Sequence, residues 1–373
     1  MRNQIAKRRI LGKTNLYSQS ISYISNKKSD KMKTVKTIGI NSNQPVGRGF
    51  NFPYDIAIKE DLRKSRTIYL LNRSNSATRM GTRIQYFTYE EDWIGEFGNP
   101  LEDDEAKFTR PVTLAFDNSD QLHVTDEATD EIKIFNSEGK FQRSIKLDSD
   151  SQGNGDRFGP AGIAIDSDDF IYVSSRYLNV IQKLTSEGRV VTEWGGAGSG
   201  PGEFEMPWGM DVDAQGNLYV ADWRNDRIQK FDSEGNLLHI FGESGVAIGQ
   251  FNRPSSVAVD TNMNIAVADW GNERVQILDE GGSVLNVLEG DATLSKWSHE
   301  WLDVNLDERE ARNRADLKAL DLPEHLKNAY HEASQTEHKF WGPVSVKFDS
   351  DNQLYVTEHS RHRILVFEPV NLK

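Results

Sequence analysis

A phenylalanine standing two or three residues ahead of a proline recurs six times in this chain: Phe50 with Pro53, Phe108 with Pro111, Phe158 with Pro160, Phe204 with Pro207, Phe251 with Pro254 and Phe340 with Pro343. Each proline is followed by an apolar stretch, a polar turn and a second apolar stretch, mostly closed by an acid or amide. Successive units begin 46 to 58 residues apart, with one longer gap before the last. A repeat of that period commits the chain to a repeat architecture, because one unit alone cannot bury its apolar face.

The fourth unit shows the construction most clearly. Met210 and Val212 alternate with Gly209 and Asp211, and a turn of Asp213, Ala214, Gln215, Gly216 and Asn217 leads into Leu218-Tyr219-Val220-Ala221-Asp222. Period-two alternation broken by a Gly/Asn turn predicts a hairpin. Two further strands follow, Arg227-Ile228-Gln229-Lys230-Phe231 and Leu237-Leu238-His239-Ile240-Phe241. Four antiparallel strands per unit, repeated, describe a propeller blade. The expected fold is therefore all-β: a six-bladed β-propeller of four-stranded antiparallel blades spanning residues 34–368. The sixth unit ends at Glu368 without a fourth strand, and residues 34–39 (Thr34-Val35-Lys36-Thr37-Ile38-Gly39) resemble the missing one. An N-terminal strand that completes the last blade closes the ring and removes an exposed edge.

Units four and five, with Val220-Ala221-Asp222, Asn225 and Arg227, and Val267-Ala268-Asp269, Asn272 and Arg274, resemble NHL repeats. The resemblance is specific for fold and implies no single activity. Because the Asp/Asn/Arg set recurs, it is read as service to each blade's second turn rather than as a reactive centre. Lyases that resemble NHL propellers hold zinc on several channel histidines, whereas here His359, with His362, is the only comparable pair. Propeller lactonases hold calcium on Glu, Asn and Asp, a set that Glu358, Asp126 and Asn72 imitate from within the repeat's structural column. No cofactor is assigned; calcium and zinc are the ions this resemblance leaves open. Residues 148–156 mimic the start of a calcium loop but lack its closing Glu, Gly159 standing there instead.

Residues 291–339 interrupt the repeat and are rich in Glu, Lys, Ala and Leu. A helix is expected over 307–320, acids first and bases later, and another from Asp321-Leu322-Pro323-Glu324 toward His331. An insertion of this kind suits a lid on one channel mouth or a partner surface.

The net charge of −13 is uneven: residues 1–33 carry nine Lys/Arg against one Asp, leaving the remainder near −21. That body opposes nucleic acid, while the basic tail, read as disordered, is able to touch polyanions. There is no cysteine, so disulfides and thiolate chemistry are out. No apolar run is long enough for a membrane span, and no secretory signal is expected; a cytoplasmic address is favoured, with organellar targeting by the basic tail left open. Residues 369–373 read as a short C-terminal tail.

Function is sought where the repeats disagree. The position after the second strand reads Arg73, Glu127, Arg176, Trp223, Trp270 and His359 around the ring, with Tyr177 beside Arg176. The position after each proline reads Tyr54, Val112, Ala161, Trp208, Ser255 and Val344. Together these make one loop-face basin of Trp and Tyr with Arg, Glu and one His. That composition suits a protein, a peptide or a small polar ligand. The expectation is a binding or scaffold module using Tyr54, Arg73, Glu127, Arg176, Tyr177, Trp208, Trp223, Trp270 and His359. The alternative is a divalent-metal-dependent lyase or hydrolase, with Glu358, His359, Asp126 and Arg176 as the catalytic candidates.

Overall fold

Proline has no N–H to give a ladder, and in every blade it stands at the first position of the innermost strand. These strands are Pro53–Glu60, Pro111–Phe116, Pro160–Ile165, Pro207–Val212, Pro254–Val259 and Pro343–Phe348. The computed structural model describes residues 31–370 apart from 43, 75–79, 102–104, 148–156 and 316–321. It contains six four-stranded antiparallel sheets, each built from consecutive strands except the last. There, Lys31–Ile38 pairs antiparallel with Arg363–Val370, joining the two ends of the chain in one sheet. The expected closure holds, and the strand begins at Lys31, inside the stretch read as a basic tail. Residues 1–30, the rest of that tail, and 148–156, the calcium-loop look-alike, lie outside the described residues.

The recurring Phe fills the gap between blades. Phe50, Phe108, Phe158, Phe204, Phe251 and Phe340 are all at most 2% exposed. Several lie against a glycine that ends the preceding fourth strand. A Cβ on Gly39 would stand 2.1 Å from the Phe50 ring, and one on Gly98 2.1 Å from Phe108, so the Phe and Gly of the repeat are a single packing device. Clusters of this kind span each junction. Phe340, Val346, Leu354 and Val356 of the last blade pack with Ala258, Ala266 and Ile277 of the fifth.

The Asp/Asn/Arg set is structural. One Asp222 oxygen accepts from the Glu205 amide at 2.8 Å and the other from Arg227 Nε at 2.8 Å and Asn225 Nδ2 at 2.9 Å. Arg227 then donates to the carbonyls of Ser199, Gly200 and Glu203, fastening the interblade loop. Asp269, Asn272 and Arg274 repeat the arrangement one blade on.

A second latch escaped the sequence. The residue before the third strand adopts positive φ at Asp130, Asn179, Asp226, Glu273 and His362. Each side chain accepts from the amide of the residue ahead of the next blade's proline: Gly159, Met206, Arg253, Gly342 and Phe52 respectively, at 2.5 to 3.0 Å. Glu273 serves this latch from a buried position. Burial, reinforced by the nearby Glu358, pushes its carboxyl up to about 7. A folded-state pKa raised above the unfolded value of 4.5 means that stability present below pH 4.5 is lost as pH rises through 7. Glu273→Gln keeps the acceptor without the charge. It should therefore leave stability at pH 4.5 nearly unchanged and raise it at pH 8 by roughly 3 kcal/mol. Urea unfolding at the two pH values checks this.

Among the described residues, the insertion folds onto the ring as three short helices: α1 (Lys296–Val304), α2 (Leu306–Arg314) and α3 (Ala329–Gln335). Helix α1 was not expected, and α2 stops at Arg314, ahead of residues 316–321, which are not described. The segment expected to run as a helix toward His331 makes only a 3-10 turn at Glu324–Leu326; α3 starts afresh behind its Asn328 cap. Trp297 is 3% exposed and donates its indole N–H to the Glu91 carbonyl at 2.7 Å. The Glu91 side chain in turn accepts from the amides of Lys296 and Gly39, tying insertion, blade one and closing strand together.

Candidate functional site

In each blade the proline pairs with the residue that closes the second strand, as Pro207 does with Asp222, so the two variable positions share one end of the ring. The register shifts directly after the proline in all six blades. Such a bulge re-aims side chains, and here it acts on the residues read as Tyr54 and Trp208. The structure brings most of the sequence-selected residues into one contact chain. His359 meets Tyr54 edge-on at 5.5 Å, Tyr54 lies 6.4 Å from Trp208, Trp208 5.8 Å from Trp223, and Trp223 6.5 Å from Trp270. All five rings are partly exposed. Val112, Ala161, Ser255 and Val344 are buried instead.

Arginines sit on this aromatic arc. Arg73 lies over Tyr54 at 4.7 Å and Arg176 over Trp208 at 5.2 Å. Both also donate to Glu127, at 2.7 Å each, and Glu127 is 2% exposed. Burial works against its charge, but Arg73 and Arg176 outweigh it and hold the carboxyl below the usual glutamate range. Tyr177 is half-exposed, touches Arg176 at 5.4 Å and packs over Gly159. Two arginines missed in the sequence belong here: Arg110, 2.9 Å from Glu127, and Arg253, 5.2 Å from the Trp223 ring. Both immediately precede a repeat proline, a third variable column that would have found them.

His359 is held as a neutral imidazole. Burial is the main cause that depresses its pKa, and Nδ1 lies 3.3 Å from the Pro53 carbonyl, which can only accept; Nδ1 thus carries the proton and Nε2 the lone pair. His362 is the blade-six latch, its Nδ1 accepting from Phe52, and burial pushes it down to about 4.

Inside the ring the channel is tight. A Cβ on Gly162 would stand 2.0 Å from the Trp208 carbonyl, and one on Gly209 2.7 Å from the Ser255 carbonyl. Asp211 and Lys347, left open in sequence as facing or separately solvated, meet electrostatically: burial raises the Asp211 carboxyl and the Lys347 ammonium opposes it. Asp55 adds a second acid under the same lysine, accepting from Ser345 Oγ and from the Leu114 amide at 3.0 Å.

The donors proposed for calcium or zinc do not assemble. Asp126 accepts from the amides of Thr109, Arg110 and Ala128. Glu358 is fully buried, pairs with Arg363 and accepts from the Trp341 amide. Asn72 bridges Asn51 and Gln85. All three are taken up in repeat bracing, and among the described residues no three His, Asp or Glu converge as a metal site.

Among known proteins, the NHL repeat model matches residues 204–231, 251–278 and 340–367. Comparison with curated proteins finds no match. Among solved structures, virginiamycin B lyase from Staphylococcus aureus is 12% identical, with 90% of this chain and 99% of that one covered and a TM-score of 0.51. A streptogramin B lyase is also 12% identical, covering 92% and 99%, with a TM-score of 0.50. A protein of unknown function from Bacteroides thetaiotaomicron is 13% identical, covering 90% and 75%, with a TM-score of 0.56. Likeness at that identity concerns the fold.

Proposed function

We propose that this chain, an NHL-repeat six-bladed β-propeller, is a binding module whose ligand, a peptide segment of a protein partner or a small polar molecule, sits on the aromatic and arginine arc at the channel mouth. The reading rests on the continuous run from His359 through Tyr54, Trp208 and Trp223 to Trp270. These rings occupy positions whose residue type the repeat leaves free to vary. Trp and Tyr present large, rigid contact area with little conformational entropy to lose, which is why such residues dominate binding surfaces.

Peptides selected from a random display library on the intact protein should bind a Trp208→Ala/Trp223→Ala variant at least about tenfold more weakly, as expected for removing aromatic anchors. Equal affinity would remove the mouth from the function. A metal-dependent lyase or hydrolase is the second reading. The lone pair that the Pro53 contact leaves on Nε2 of His359 favours it, and among the described residues the missing donor set opposes it. Elemental analysis of the same preparation separates the two, since stoichiometric zinc or calcium would reverse their order.

A further inference from the structure

Three guanidiniums converge on the single carboxylate of Glu127: Arg73 and Arg176 at 2.7 Å and Arg110 at 2.9 Å. Among the described residues none of the three has a second carboxylate partner, so the cluster holds two positive charges in excess. Arg73 is 8% exposed, and its Nη1 is buried without a hydrogen-bond acceptor; the Nε of Arg176 is likewise unpaired. Arg110 spends Nε on Glu127 and keeps a side chain that is 55% exposed. A guanidinium has five N–H groups in a planar fork, and the cluster has donors to spare.

We infer that the mouth takes a carboxylate attached to an aromatic group, the carboxylate on Arg110 and Arg176 beside Glu127 and the ring against Tyr54 and Trp208. This rests on the mouth being the binding surface. The bound side chain of Glu127 shows that these arginines accept a planar carboxylate, and fork-to-carboxylate pairing is their strongest mode. The ring follows from distance. Arg176 already lies 5.2 Å from Trp208, and Trp208 is 6.4 Å from Tyr54, so an acid on the arginines leaves the rest of a small molecule over the aromatic pair.

Calorimetric titration of the full chain with N-acetyltryptophan and with N-acetyltryptophanamide tests this, with inorganic phosphate as a third probe. The acid should bind at least about tenfold tighter than the amide, the worth of a charge-assisted pair. Arg176→Gln and, independently, the more exposed Arg110→Gln should each shrink that gap. Glu127→Gln, which removes the competing internal anion, should tighten acid binding, whereas a merely structural Glu127 would leave it unchanged or weaker. Equal affinity for acid and amide overturns the carboxylate inference, and so does phosphate binding as tightly as the acid. If neither tryptophan derivative binds while library peptides still require Trp208 and Trp223, this inference fails and the binding module stands. If those peptides are indifferent to both tryptophans, the module fails first.

Discussion

Deleting the closing strand, residues 31–38, should abolish the cooperative unfolding transition and leave an aggregating chain. That strand pairs with Arg363–Val370 along its length, from Lys31 opposite Val370 to Ile38 opposite Ile364. Ile38 is fully buried in the cluster that joins the last blade to the first, with Phe50, Ile56, Tyr355 and Ile364. Its neighbour Thr37 hydrogen-bonds Thr293 at the start of the insertion. Removal therefore opens the ring at one junction, unseats the insertion and bares a long strand edge able to pair with other chains. A loss spread over a whole junction is comparable to a domain's total stability of about 5–15 kcal/mol, so no stable native state should remain. Calorimetric scanning and light scattering measure both effects. Partial recovery on adding a synthetic peptide of residues 31–40 would place the cause in the missing strand, and a native-like transition without it would contradict the closure.

The second large effect is expected at Arg363. Glu358 is fully buried, and its carboxylate meets Arg363 and the Trp341 amide. Burial already raises the Glu358 carboxyl, and Arg363 is the main force acting against that rise. Arg363→Ala leaves a buried acid without its partner and should cost about 3–5 kcal/mol at neutral pH. The exposed pair of Lys64 and Asp351 provides the contrast, since Lys64→Ala should leave the urea midpoint almost where it was. Urea unfolding of both variants beside the parent checks the difference. Similar losses at the two sites would refute the view that the repeat's acid column braces the ring from within.

The ring was legible because the first strand of each blade is announced several times over. Proline marks its start, apolar alternation its length, and Asp with Asn and Arg the turn that follows. Closure was legible from a deficit, the sixth unit lacking a strand that residues 34–39 could supply. What stayed hidden involves positions whose role depends on a neighbouring blade. Asp130, Asn179, Asp226, Glu273 and His362 share a latch but no single side-chain type, because an amide needs only an acceptor at positive φ. Asp55 was overlooked among the small residues of its column, where Ser345 of another blade meets it. Helix α1 gave little signal, since its nine residues include Trp, Ser and Val of middling propensity. It is held by Trp297 beneath it and by the Ser295 cap. The mouth aromatics were found as departures from the repeat, but their contact in one arc required the ring to be closed.

The central claim is that function occupies that arc while the repeats brace it. Fluorine NMR of the protein labelled with 5-fluorotryptophan, titrated with a library-selected peptide, tests it most directly. Single Trp→Phe variants assign the signals. The account predicts that the resonances of Trp208, Trp223 and Trp270 shift on binding while those of Trp194, in the outermost strand Val190–Gly195 of the third blade, and of Trp297 under the insertion stay fixed. A titration that moves Trp194 or Trp297 and leaves the three mouth tryptophans unchanged would contradict it.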